Sequence, residues 1–263
     1  MRVTRPLISS VIACSLLLSP AIAQNVTTSR QAAALLAQSA KALSGSTAVN
    51  DVTLTGTAGW IAGSEEETGT ATFKGISGSY RLDLSFRNGT SSEIVSLVDG
   101  LPAGNWIGLD GVSHPMANHN LMSDAGWFPI FTLRGLISSS NIALTYVGRE
   151  TRNGASVIHI SASQQFPNLS GDSSSLIQHL TQVDVYLNST TLLPVSYLFN
   201  SHPDDNALLD IPTEIRYSNY QSVNGAQIPL HIQKYMNNMP LVDLRFQSAT
   251  LNTGLTDAVI VGQ

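Results

Sequence analysis

The stretch that decides the fold is Thr213-Glu-Ile-Arg-Tyr-Ser-Asn-Tyr220, in which Ile215 and Tyr217 alternate with Glu214 and Arg216. Asn224-Gly225 follows, a pair suited to the left-handed backbone of a tight hairpin turn. Ile228, Leu230 and Ile232 then recur at period two. After Asn237-Asn238-Met239-Pro240, Val242, Leu244 and Phe246 alternate with Asp243, Arg245 and Gln247. Strands with one apolar and one polar edge lay the apolar face on a partner and leave the other in water. The last quarter therefore reads as an antiparallel meander whose apolar side needs a cover.

Upstream the same period recurs. Val52, Leu54, Ala58 and Trp60 share one face, with Thr53, Thr55 and Thr57 opposite. Glu65-Glu66-Glu67 reads as an exposed turn before Ala71 and Phe73. The cleanest alternation sets Tyr80, Leu82, Leu84 and Phe86 against Arg81, Asp83, Ser85 and Arg87. Slipping that strand by one residue would bury the charges, so the pattern fixes which face is inside. Glu93 to Val98 and Trp106 to Leu109 continue the series, with turns at Asp99-Gly100 and Asp110-Gly111. Further strands are expected at Ile142–Val147, Val157–Ile160, Val183–Leu187 and Val195–Phe199.

Helices are fewer. Thr27-Thr28-Ser29 can cap a helix over 28–43 whose apolar positions are Ala32, Leu35, Leu36, Ala40 and Leu43, ended by Gly45. Leu176 to Leu180 reads as a short helix after a polar loop at Ser170-Gly171-Asp172-Ser173. His114 to Asp124 has no usable period. Trp127 to Ile137 is apolar on nearly every side, so it predicts either a core helix between layers or a plug in a concave sheet face. Pro129 fits the first turn of such a helix, where its missing amide is harmless. The fold class expected is α+β, a strongly curved antiparallel sheet (a half-barrel) with helices on its concave face.

The amino terminus reads as a signal peptide. Arg2 and Arg5 precede the apolar run Leu7 to Leu18, and Pro20-Ala21-Ile22-Ala23 offers the small residues a signal peptidase reads. Cleavage after Ala23 would leave one domain, 24–263, exported to a periplasm. The run is shorter than the ~20 residues of a membrane span, and no later segment approaches that length. Val11-Ile12-Ala13-Cys14 loosely resembles a lipobox, but the residues after Cys14 stay apolar where a lipoprotein turns polar.

Cys14 is the only cysteine, so a cleaved chain has no disulfide, no thiolate nucleophile and no thiolate metal ligand. Eighteen acidic residues outnumber 13 basic ones, two of which lie in the leader, and Lys41, Lys74 and Lys234 are the only lysines. That balance leaves no footprint for nucleic acid. The six histidines, His114, His119, His159, His179, His202 and His231, include no pair at one-turn spacing, so no metal ligands are assigned. Asp204-Asp205-Asn206 with Asp210 lacks the ordered spacing of a calcium loop. No nucleophile elbow and no phosphate-cradling glycine loop occur. No catalytic residue and no cofactor are assigned, and the chain reads as no enzyme.

The order of elements resembles the LolA/LolB/LppX-like proteins. The matching stretches are Ser79-Tyr-Arg-Leu-Asp-Leu-Ser-Phe86, Ile94-Val-Ser-Leu-Val-Asp-Gly100 with Trp106-Ile107, Val183-Asp-Val-Tyr-Leu-Asn188 with Leu192-Leu-Pro-Val-Ser-Tyr197, and Ile215 to Asn252. The resemblance implies an incomplete barrel closed by helices around an apolar cavity that holds acyl chains. A lipid or an acylated protein would then be the ligand, held by Trp60, Phe73, Leu82, Leu84, Phe86, Trp106, Trp127, Phe128 and Phe131. An envelope interaction protein with a self-filled core, and an enzyme without a readable motif, are the alternatives.

Overall fold

A computed structural model describes residues 20–63, 65–123 and 126–262; of the leader expected over 1–23, residues 1–19 lie outside them. The first strands are β1 (Asp51–Ala62), β2 (Glu65–Ile76), β3 (Ser79–Phe86), β4 (Gly89–Val98), β5 (Leu101–Ile107) and β6 (Ser113–Pro115). The later ones are β7 (Ile142–Arg152), β8 (Ala155–Gln164), β9 (Val183–Asn188), β10 (Pro194–Ser201), β11 (Ile211–Val223), β12 (Ala226–Met236) and β13 (Met239–Leu251). All join one open antiparallel sheet in the order β6-β5-β4-β3-β2-β1-β13-β12-β11-β10-β9-β8-β7. Strands adjacent in the sheet are consecutive in sequence except at one seam, where β1 pairs with β13, and the consecutive β6 and β7 form the two edges.

The turns follow local chemistry. Asn224-Gly225 takes φ of 50° and 89°, and Asn237-Asn238 takes 49° and 62°, the left-handed pairs that match the twist of a two-residue hairpin. Side chains alternate as expected. Leu82 and Leu84 are buried and Phe86 packs on the core, while Arg81 and Asp83 pair with each other at 2.8 Å on the outer face. Ile215, Ile228, Ile232, Val242 and Leu244 are all nearly inaccessible.

Helices cover the concave face, as expected, but several boundaries differ. The first helix, α1, spans Pro20–Ser44 rather than starting near residue 28. Pro20 suits a first helical position and no Gly or Pro follows until Gly45, so the Thr27-Thr28-Ser29 cap is overrun. Ala32, Leu36, Ser39 and Leu43 form its buried stripe. Gly45, at φ 58°, ends it, and a Cβ there would stand 2.1 Å from the Gly225 carbonyl oxygen of the β11–β12 hairpin. Glu65-Glu66-Glu67 opens β2 instead of forming a turn, because it pairs with Trp60, Ile61 and Ala62. The region without period holds β6 and α2 (Asn118–Ser123). Helix α4 (Gly171–Leu180) absorbs most of the polar loop expected at 170–173. A short α5 (Asp257–Val261) lies instead on the outer face, over β2, β3 and β4 beside Arg81, and buries Ile260.

Candidate functional site

Helix α3 (Pro129–Ser138) carries the apolar insert, with Pro129 in its first turn. Trp127, Phe128, Ile130 and Leu133 are buried, and Phe131 and Leu136 are partly so. Polar groups of the sheet fasten the segment from below. The Tyr197 hydroxyl donates to the Pro129 carbonyl at 3.1 Å and the Tyr217 hydroxyl to that of Gly126 at 3.2 Å. Burial pushes the Tyr197 phenol well above its ordinary pKa, which keeps it a donor. Arg134 donates to the Val49 carbonyl, tying α3 to the chain that follows α1.

Trp127 rests on two charges inside the sheet. Glu93 Oε1 accepts from Trp127 Nε1 at 2.8 Å and from the Tyr80 hydroxyl at 2.6 Å. Lys234 Nζ lies 4.0 Å from Glu93 Oε2 and 5.2 Å from the centre of the Trp127 ring. Neither charge was assigned a role from sequence, yet both sit at inward parity. Lys234 follows Ile228, Leu230 and Ile232 at period two and pairs with Ile215 and Val242. Glu93 stands opposite Leu82 and Trp106.

The nine expected ligand-facing residues divide among three cavities. Phe73, Trp127, Phe128 and Phe131, with Tyr80 and Leu136, border one of about 330 Å³ between α3 and the sheet. Leu82, Leu84, Trp60, Trp106 and Trp127 border one of about 190 Å³ that also meets Glu93 and Lys234. Trp60, Phe86 and Trp106 line a third, of about 580 Å³, whose rim is Glu65, Glu66 and Glu67. Trp127 borders the first two of these, one on either side. Trp60 and Trp106, with relative exposures of 36% and 42%, belong to the rim rather than the core.

One arrangement resembles hydrolase chemistry. Ser218 Oγ lies 3.0 Å from His231 Nδ1, and His231 Nε2 lies 3.1 Å from the Asp243 carboxylate. It is a cross-strand ladder over β11, β12 and β13, and Asp243 is also held by Gln233 and Arg245.

Several solved structures share the fold of this chain. A putative outer membrane lipoprotein-sorting protein domain from Vibrio parahaemolyticus superposes with a TM-score of 0.55 at 15% identity, covering 87% of this chain and 95% of that one. A LolA superfamily protein from Nitrosomonas europaea gives 0.50 at 10% identity, covering 87% and 96%. The fold is LolA-like. A DUF1329 family protein from Desulfovibrio piger shares it, with a TM-score of 0.55 at 8% identity over 89% and 97% of the two chains. No family model and no curated protein matches the sequence. The LolA-like fold is thus shared at only 8–15% sequence identity.

Proposed function

We propose that this chain is an exported, single-domain, non-catalytic binding module or carrier for an acylated or otherwise apolar ligand. The observation that carries the reading is the apolar cavity of about 330 Å³ between α3 and the concave face, walled by Phe73, Phe128, Phe131 and Leu136. Its volume falls at the lower end of the ~300–1,000 Å³ range of small-molecule sites. One acyl chain, rather than a whole diacyl lipid, suits that space. The LolA-like fold, found also in a putative lipoprotein-sorting domain, supports the same class of ligand. Residues 1–23 act as the leader that delivers the chain to the periplasm.

A second reading has its own support. Leu133 is fully buried and α3 is fastened at Gly126, Pro129 and Arg134, so the helix fills much of the concave face by itself. A self-filled half-barrel would meet its partners through its outer surface. Native protein purified without detergent and extracted for lipid mass spectrometry separates the two. A stoichiometric acyl species supports the carrier, and a lipid-free protein that takes up no fluorescent fatty acid rejects it.

A further inference from the structure

Three ligating side chains meet between α4 and the segment that joins β10 to β11. His179 lies in the last turn of α4, His202 follows β10, and Asp210 precedes β11. His179 Nε2 stands 2.9 Å and His202 Nε2 3.2 Å from the same Asp210 Oδ1. One ligand atom from each residue lies within 4.8 Å of the others. Zinc bonds of about 2.0–2.1 Å in a tetrahedron set neighbouring donor atoms about 3.3 Å apart. Both histidine-to-aspartate spacings are already close to that value, and the two imidazole rings are inclined at 63° with centres 5.8 Å apart.

The surroundings hold His202 in place. Its side chain has no exposed surface. Asn120 of α2 clamps its backbone from both sides, donating to the His202 carbonyl and accepting from the His202 amide, each at 2.8 Å. A third imidazole, His119, lies edge-on to it and bonds the Pro203 carbonyl at 3.1 Å. His202 Nδ1, by contrast, is buried with no hydrogen-bond partner among the described residues. Buried polar atoms are rarely left so. The ring's satisfied edge is therefore the one that faces Asp210 and His179. Without a cation both Nε2 atoms need protons to share a single carboxylate oxygen, and a metal ion replaces both protons at once.

We propose that His179, His202 and Asp210 bind a divalent transition-metal ion of the zinc class. Two imidazoles and a carboxylate suit such an ion, and they disfavour calcium or magnesium, which take oxygen donors. Asp210 and His179 are 40% and 39% exposed, which gives the ion access from solvent and leaves room for water as a further ligand. Bound there, the ion clasps α4 to the segment between β10 and β11.

Tag-free protein, secreted with its own leader and stripped with chelator, is titrated with cobalt(II) and then with zinc. A saturable visible band of tetrahedral cobalt, its displacement by zinc, and a melting temperature that rises with zinc are expected. Asp210→Asn and His179→Ala, both at half-exposed positions, should each weaken binding at least about tenfold. His231→Ala, at a distant strand, should bind as the parent does. The absence of a cobalt band and of any zinc effect on melting in the parent overturns the site. Equal affinity in parent and Asp210→Asn does so as well.

Discussion

Glu214 shows how a single residue can combine a charge with burial. Only 4% of its surface is exposed. Its Oε1 accepts from Arg152 at 3.0 Å and its Oε2 from Arg216 at 2.7 Å. The two guanidiniums lie over the rings of Tyr186 and Tyr235, at 4.2 Å and 3.8 Å. Burial alone would raise the carboxyl pKa, but the hydrogen bonds and charges of the arginines outweigh it and hold the group below its ordinary value. A depressed folded pKa means stability that is complete above the ordinary glutamate value and lost as pH falls through the lowered one. Glu214→Gln should therefore cost about 2–3 kcal/mol at neutral pH, the arginines being partly solvated. The difference from the parent should shrink on acidification, as urea melts at several pH values would show. Sequence made Glu214 an outward polar residue and gave no sign of Arg152, which reaches it from β7 across 62 residues.

Among the elements, α3 is the one whose apolar sequence admitted two fates. Leu133 is fully buried, whereas Phe131 is partly exposed and borders the cavity. Leu133→Ala should lower stability by about 3–5 kcal/mol through the void it leaves. Phe131→Ala should cost about 1–2 kcal/mol, less than a fully packed Phe, and should enlarge the cavity. It should thereby change the affinity for a fluorescent fatty acid in a direct titration. Equal destabilisation by both changes, with no probe signal from either, would make α3 plain core. The element's length and its Pro129 start were legible in sequence. That Trp127 would stand on Glu93 and Lys234 was not, since those charges come from β4 and β12.

In the whole molecule the weak point of a meander is the seam between its halves. Strands joined by hairpins close locally, but β1 must find β13 across nearly the whole chain. Asp51 guards that join. Its Oδ1 accepts from the amide and hydroxyl of Thr253, and its Oδ2 from the amides of Gly254 and Leu255. An asparagine would present an NH₂ group to donors, so Asp51→Asn should cost about 2–3 kcal/mol. Unfolding should remain a single cooperative transition if the sheet unfolds as one unit, measured by urea denaturation with two spectroscopic probes.

Hairpins, strand faces, the antiparallel class and the apolar insert were set by the sequence itself, because period-two alternation and Asn-Gly or Asn-Asn turns act between residues close in the chain. Tertiary structure alone decided the division of the expected cavity residues among three cavities and the meeting of His179, His202 and Asp210. Each of these depends on which distant surfaces touch once the sheet curves around α3. No spacing within a single strand or helix records that contact.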